Sequence, residues 1–203
     1  MARLILASNS PRRKEILEQA GIDFEILSVE HKEYSQYSKP EDMVKDLALQ
    51  KAEATAGLME KELKIAENKM IVGADTVVVQ EHKILGKPID RKDAFSMLHF
   101  LQGRTHQVFT GIAVIVFKDG RKENFCFAEK TLVKVCSMDS EEIYHYIAME
   151  ESMDKAGAYA IQGKFAPYIE GITGDYYNVV GFPLSRFYQE MKSRGFLDNL
   201  IIS

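Results

Sequence analysis

Blocks of apolar and polar residues along the chain predict alternating strands and helices. Short apolar or alternating runs bounded by turn residues indicate strands over 3–7, 24–29, 70–79, 105–117 and 122–136, with a return strand and loop over 81–88. Apolar residues at helical spacing, with capping residues at the ends, indicate helices over 11–19, 40–61, 90–103, 141–149 and 183–195. Some strands are joined by helices and others by hairpins, which predicts an α/β fold with a mixed sheet.

Two segments have the pattern of a β-hairpin. Asp119-Gly120 separates two long alternating runs, and Asp-Gly at such a place favours a tight turn. A second hairpin is predicted between Tyr168 and Val180. No Pro-, Gly- or Ser-rich linker interrupts the chain, so we expect a single domain over residues 1–203, built from two closely packed lobes.

Asp75 is out of place in its surroundings, because it interrupts an apolar run from Met70 to Val79. Such a run is typical of a strand that is buried on both faces. A buried carboxylate is costly unless a cation or a metal pairs with it. Two other interpretations stay open, namely a solvent-facing aspartate at the strand end and one that is hydrogen-bonded in a bulge.

Lys51 falls on the predicted apolar face of the helix that begins at Pro40. That face is formed by residues at helical spacing, namely Met43, Leu47, Ala54 and Leu58. A lysine in such a place either extends its ammonium group to water along a buried stem or takes part in a functional site.

The segment SNSPRR, residues 8–13, places Arg12 and Arg13 in the first turn of a helix. Ser10 is a suitable N-cap and Pro11 suits the first helical position. Cations are mildly unfavourable there, because the helix N-terminus carries a partial positive charge. The two guanidinium groups either lie on a solvated face or, with the free backbone N–H groups, bind an anion.

Lys87 is a third candidate basic position. The following Pro88 holds its backbone extended, so its side chain points in a fixed direction. Basic groups near loops and strand ends, together with one buried acid, suit phosphate chemistry, because cations bind phosphoryl oxygens and a carboxylate holds a metal or takes a proton from water. The chain has neither a Walker A motif nor a G-x-G-x-x-G segment after a strand. These residues alone therefore predict only the binding of a small polyanion.

Composition excludes several classes of protein. The net charge of −4 argues against a general nucleic-acid binder, and no apolar run approaches the roughly 20 residues that span a bilayer. The apolar run at the N-terminus is too short for a signal peptide. Cys126 and Cys136 lack metal-site spacing and are expected to be free thiols. We expect a soluble, cytoplasmic protein without a nucleic-acid or membrane partner.

Seven segments occur in a specific order and cover almost the whole chain: LILASNSPRRKEIL, LALQKA, IVGADTVVV, LGKPID, FLQGRTHQVFTGIAV, DKAGAYAIQG and GDYYNVVGFPL. In this the chain resembles the Maf family of nucleoside triphosphate pyrophosphatases, also described as septum-formation inhibitors. The resemblance implies a long mixed sheet with flanking helices and two lobes around a deep cleft, similar to inosine triphosphate pyrophosphatases. It also implies metal-dependent hydrolysis between the α and β phosphates, which yields a nucleoside monophosphate and pyrophosphate.

The resemblance assigns roles to individual residues. Asp75 would accept a proton from the attacking water and also contact the metal, with Glu33 as a second metal-binding residue. The residues that bind the triphosphate would be Ser8, Arg13, Lys51 and Lys87, with Arg12 beside Arg13 at the mouth of the cleft. Arg12, Thr76 and Gln162 match the branch that acts on dTTP and UTP, rather than the branch that acts on 7-methyl-GTP. A neutral amide such as that of Gln162 suits a pyrimidine edge, which presents both a donor and an acceptor.

Several alternatives stay open at this point. Modified pyrimidine nucleotides are further candidate substrates of an enzyme that removes unwanted nucleotides from the pool. A nucleotide-binding regulator of septum formation with weak catalysis, or a phosphatase that releases the γ phosphate, would use similar residues. The metal is either Mg²⁺ or Mn²⁺, because carboxylate and phosphate oxygens suit both. Family members often form dimers, so a homodimer is also open.

Overall fold

The computed structural model describes residues 3–30, 32–62, 69–118, 120–197 and 200. The strands are β1 (Arg3–Leu6), β2 (Phe24–Ile26), β3 (Lys69–Gln80), β4 (Lys83–Leu85), β5 (Thr105–Lys118), β6 (Arg121–Val135) and β7 (Ile169–Thr173). The α-helices are α1 (Pro11–Gln19), α2 (Pro40–Glu62), α3 (Arg91–Leu101), α4 (Ser140–Ala148), α5 (Tyr176–Val180) and α6 (Leu184–Ser193). In these described ranges no helix is both long and apolar enough to cross a membrane.

Within the described residues the strands form one seven-stranded sheet in the order β2-β1-β3-β5-β6-β7, with β4 paired to β3. Strand β1 runs parallel to both β2 and β3. The pairs β3–β4 and β6–β7 are antiparallel. The predicted α/β class with a mixed sheet and flanking helices is therefore confirmed.

By its internal contacts the chain divides into two compact units. The first comprises Met1–Asp75, Thr110–Glu129 and Gly181–Ser203, and the second comprises Thr76–Phe109 and Lys130–Val180. The expectation of a single domain over residues 1–203 stays a prediction.

The alanine-rich face of α2 packs against residues of the sheet in the core of the first unit. The buried residues of this helix are Val44, Ala48, Ala52, Thr55, Ala56 and Met59. The predicted apolar face is therefore wrong by one position, since Met43, Leu47, Ala54 and Leu58 are only half-buried. Small side chains face inward because the helix lies unusually close to the sheet.

Two glycines in the sheet make this close approach of α2 possible. A Cβ atom built at Gly73 on β3 would lie 2.1 Å from the carbonyl oxygen of Ala48. One built at Gly111 on β5 would lie 2.3 Å from the carbonyl carbon and oxygen of Val44. Both distances are far below van der Waals contact, so the helix backbone packs directly on positions that lack a side chain.

The second unit has a separate core of aliphatic and aromatic residues around α3 and α4. Tyr146, Tyr159 and Phe165 pack ring against ring there, with both centroid distances to Phe165 at 4.9 Å. His106 is also buried, and its Nε2 atom lies 2.7 Å from the hydroxyl oxygen of Tyr159. Burial lowers the pKa of His106 to about 4, so the imidazole is neutral at pH 7.

Local capping chemistry explains where α3 and α4 begin. The Asp90 carboxylate accepts a hydrogen bond from the Asp93 N–H group at 2.7 Å, as the sequence predicts. Asp139 and Glu142 form a reciprocal capping box at the start of α4.

The predicted hairpin from Tyr168 to Val180 is wrong. Its first arm is β7, but its second arm is the short helix α5. The Asp175 carboxylate accepts a hydrogen bond from the Tyr177 N–H group at 2.8 Å, which favours a helical turn at this point. Strand β2 is also shorter than the predicted 24–29. In the other predicted hairpin, whose turn is Asp119-Gly120, Asp119 lies outside the described residues.

The substitution Gly73→Ala tests the close packing of α2 on the sheet. We expect it to lower the free energy of unfolding by about 3 kcal/mol, because backbone atoms of the helix must move to accommodate the new Cβ. Gly57→Ala is the matched control, since nothing lies within 4 Å of a Cβ there. That change should raise stability by about 0.5 to 1 kcal/mol through helix propensity. Equal effects of the two changes in urea denaturation would contradict this packing.

The buried His106 should make the protein less stable in mild acid. Its pKa is lowered to about 4, so below its usual value of 6.5 the unfolded chain takes up a proton that the folded chain does not. Between pH 7 and pH 4.5 this loss amounts to about 2 to 3 kcal/mol. The variant His106→Gln lacks this term, so its unfolding free energy relative to wild type should improve by that amount. A constant difference between the two pH values would contradict the prediction.

Candidate active site

Lys51 lies at the centre of a charged cluster in the first unit. Its Nζ atom is 2.5 Å from Asp75 Oδ1 and 3.2 Å from Glu33 Oε2, and it donates a longer bond of 3.4 Å to the Ala74 carbonyl oxygen. The exposed fraction of the side chain is 16% for Lys51, 13% for Asp75 and 44% for Glu33. The sequence-based expectation that the buried carboxylate needs a cation is met by Lys51.

The close packing of α2 explains why Lys51 reaches Asp75. Asp75 is two residues beyond Gly73 on β3, so the two lie on the same face of the strand. Lys51 is three residues beyond Ala48, the residue that contacts Gly73, so the two lie on neighbouring parts of one helix face. The contact between Ala48 and Gly73 therefore aligns the lysine with the aspartate.

Ser8 and Arg13 form a second group of polar contacts in the same unit. Arg13 donates from Nη1 to the Ser8 hydroxyl oxygen at 3.0 Å and from Nε to the Gly181 carbonyl oxygen at 2.9 Å. The Ser10 N–H group donates to the Ser8 hydroxyl oxygen at 3.3 Å. Ser10 is the N-cap of α1 as predicted, but within the described chain its side chain makes no capping hydrogen bond. Ser8 instead organises the turn that precedes the helix.

The guanidinium of Arg13 lies in the electrostatic field of the carboxylates. Burial lowers the pKa of Arg13, while Asp75 and Glu33 raise it and Arg12 lowers it. The Arg13 guanidinium remains a cation, so its positive charge acts on the same region of the first unit as the negative charges of Asp75 and Glu33. Six of the predicted site residues thus belong to the first unit: Ser8, Arg12, Arg13, Glu33, Lys51 and Asp75.

The second unit carries the other three predicted site residues. Thr76 follows Asp75 on β3, and Lys87 is exposed in the loop after β4. Gln162 is exposed in a turn a few residues after a short 3₁₀ segment at Ala156–Ala158. The Gly157 N–H group donates to the Gly86 carbonyl oxygen at 3.0 Å, which ties the two loops together. The assembly of all nine residues into one site stays a prediction.

The carboxylates of Glu33 and Asp75 fit a divalent cation of the Mg²⁺ type. Both already approach one positive charge, the ammonium group of Lys51, so their oxygens face a common point. Mg²⁺ is usually held by one or two carboxylates together with substrate phosphates. In the part of the chain that the structure describes, no cluster of three or more His, Cys, Asp or Glu residues could hold a metal.

Sequence reasoning missed two features of this site. Nothing in the local pattern pairs Arg13 with the carbonyl group of Gly181, which follows it by 168 residues. The role of Gly73 was also missed, although a glycine inside an apolar strand is a known sign of close backbone approach.

Comparison with known proteins places most of the chain in one family. The family described as Maf-like protein matches residues 3–194. A protein of Agathobacter rectalis named dTTP/UTP pyrophosphatase is 46% identical over 202 residues, covering 96% of this chain and 98% of its own length. Proteins of the same name from Bacillus anthracis and Bacillus cereus are 46% identical over 196 residues and cover 95% of both chains.

The charges of Lys51 and Asp75 should be energetically coupled. We expect Lys51→Met to lower the free energy of unfolding at pH 7 by about 2 kcal/mol, because it leaves a largely buried carboxylate without its cation. The double variant Lys51→Met/Asp75→Asn should recover most of this loss, since it leaves no buried charge there. Urea denaturation at low salt of both single variants and the double variant measures the coupling, because urea does not screen charges. Strictly additive losses would show that the two charges do not interact.

Proposed function

This chain belongs to the Maf-like protein family, and from that premise we propose that it is a dTTP/UTP pyrophosphatase. It hydrolyses these nucleotides to the nucleoside monophosphate and pyrophosphate. The observation that carries the proposal is the cluster in which Lys51 pairs with Asp75 and Glu33 while Arg13 lies in their field. Such a cluster offers both cations for phosphates and a carboxylate for proton transfer.

The basic residues bind the triphosphate. Arg12 and Arg13 lie in the first turn of α1, where backbone N–H groups also favour an anion. Lys51 and Lys87 supply ammonium groups, and Ser8 supplies a hydroxyl group that already contacts Arg13. Phosphoryl oxygens gain negative charge as the leaving group departs, so fixed cations at these oxygens stabilise the transition state.

Asp75 accepts the proton of the attacking water. The water oxygen forms a bond to the α phosphorus, and its proton goes to the carboxylate. The bond between the α phosphorus and the oxygen that bridges to the β phosphorus breaks, and pyrophosphate leaves with the bonding electron pair. Lys51 orients Asp75 through its contact with Oδ1.

A divalent cation would be held by Glu33 and Asp75, with Mg²⁺ and Mn²⁺ both suited to carboxylate and phosphate oxygens. When bound, it neutralises charge on the phosphate oxygens.

The neutral amide of Gln162, together with Thr76 and Arg12, selects the pyrimidine base through paired donor and acceptor contacts. The two-lobed cleft, the cytoplasmic location and the homodimer stay predictions, as do modified pyrimidine nucleotides as substrates.

Product analysis on a panel of nucleoside triphosphates tests this function. With Mg²⁺ or Mn²⁺ present, dTTP and UTP should yield pyrophosphate and the monophosphate, GTP and 7-methyl-GTP should yield little, and a chelator should stop the reaction. Orthophosphate as the first product would instead identify a phosphatase that releases the γ phosphate. Tight binding with turnover below about 0.01 per second would favour a nucleotide-binding regulator, because typical enzymes turn over at about 1 to 1,000 per second.

The variant Asp75→Asn provides the control for the mechanism in the same assay. It keeps the shape of the side chain but removes the proton acceptor, so kcat should fall by at least about a hundredfold while dTTP still binds. Asp42→Asn is the matched variant, since the Asp42 side chain on α2 is 40% exposed and pairs with Lys45. It should keep the wild-type rate. Wild-type turnover by Asp75→Asn would remove Asp75 from the mechanism.

A further inference from the structure

The turn that carries Gln162 is fastened to the second unit by a carboxylate from another segment. Glu151 Oε2 accepts a hydrogen bond from the Lys164 N–H group at 2.9 Å. The same oxygen accepts one from the Tyr146 hydroxyl group at 3.1 Å. Tyr146 belongs to α4 and is fully buried, so Glu151 links the backbone of the turn to a rigid part of the core.

Gly163 shows how tightly the carboxylate fits against this turn. A Cβ atom built at Gly163 would lie 1.9 Å from Glu151 Oε1 and 2.4 Å from Oε2. The carboxylate therefore occupies the space that a side chain at position 163 would need. Glu151 thus contacts the two residues that directly follow Gln162.

Hydrogen bonds within the turn and one buried aromatic residue complete its structure. The Gly163 N–H group donates to the Ala160 carbonyl oxygen at 3.2 Å, and the Ala166 N–H group donates to the Gly163 carbonyl oxygen at 3.0 Å. Phe165 is buried and packs edge to face on Tyr146 at a centroid distance of 4.9 Å. Gln162 itself is exposed. The turn is anchored on one side and presents its amide side chain on the other.

We infer that Glu151 is a positioning residue that fixes the backbone of the Gln162 turn and thereby sets the preference for dTTP and UTP. The inference rests on the proposed function, in which the Gln162 amide pairs with the base. Discrimination by hydrogen bonds depends on donors and acceptors held in one geometry, and small displacements weaken it. Glu151 acts on this geometry through Lys164 and Gly163, without touching the nucleotide.

The variant Glu151→Ala tests the inference in steady-state kinetics. It leaves the Lys164 N–H group and the Tyr146 hydroxyl group without their acceptor, so the turn loses its hydrogen-bonded link to α4. We expect KM for dTTP and UTP to rise about tenfold with kcat within about twofold, because base contacts contribute to binding rather than to the chemical step. The preference for dTTP and UTP over CTP and GTP should fall by a similar factor. Glu151→Gln keeps an acceptor oxygen and should restore KM to within about twofold of wild type.

Gly163→Ala provides a second and independent perturbation. Its Cβ displaces the Glu151 carboxylate, so it should raise KM as Glu151→Ala does. Combined with Glu151→Ala, which removes the clash, it should add nothing further. Glu150→Ala is the matched control, because Glu150 is 76% exposed and pairs with Arg91 on the surface. Its kinetics should equal those of wild type. Hydrogen exchange of residues 160–166 should speed up in Glu151→Ala and Gly163→Ala but not in the control.

The outcomes separate the inference from the proposed function. Wild-type protein that releases no pyrophosphate from dTTP or UTP overturns the proposed function and this inference with it. Wild-type activity whose nucleotide preference falls in Gln162→Ala but not in Glu151→Ala overturns the inference alone. Loss of kcat in Glu151→Ala with unchanged KM, or faster exchange throughout the protein, would mean that Glu151 supports the fold rather than the turn.

Discussion

The contact between the backbone of α2 and the glycines of the sheet is the constraint on which the candidate active site depends. Gly73 and Gly111 let the helix lie against β3 and β5 with no side chain between them. The alanines of α2 follow from this distance, because larger residues on that face would separate helix and sheet. Lys51 and Asp75 meet because Ala48 contacts Gly73. Lys51 lies three residues beyond Ala48 on α2, and Asp75 lies two residues beyond Gly73 on β3.

The charged residues at this site are stabilised by one another. Lys51 is shared between Asp75 and Glu33, and Arg13 is held by a hydroxyl and a carbonyl oxygen while it lies in the field of the same carboxylates. A partly buried pair of this kind adds little net stability compared with apolar packing. These contacts hold carboxylates and cations in fixed positions close to one another.

Most of the fold could be predicted from the sequence wherever the signal is local. Strands β3, β5 and β6 are long runs of apolar or alternating residues, and α3 begins at Asp90 because a carboxylate caps it. The buried face of α2 was misassigned because Leu and Met are more hydrophobic than Ala and were expected to face inward. The close approach of the helix backbone to Gly73 instead favours the small side chain of alanine there. Helix α5 was read as a strand because it contains Val179 and Val180, and the hydrogen bond from the following Tyr177 N–H group to the Asp175 carboxylate was overlooked.

The candidate site could be predicted only where a charged residue stands in an otherwise apolar segment. Asp75 in an apolar strand and Lys51 on an apolar helix required an explanation, and each proved to be the partner of the other. Contacts that depend on tertiary structure, such as Glu151 with Lys164, left no local trace in the sequence.

The hydrogen bond from Arg13 to Gly181 also has a consequence for the synthesis of the protein. At about 5 to 20 residues per second, the ribosome adds the acceptor roughly ten to thirty seconds after the arginine. A nascent chain therefore cannot form this contact until Gly181 has been added.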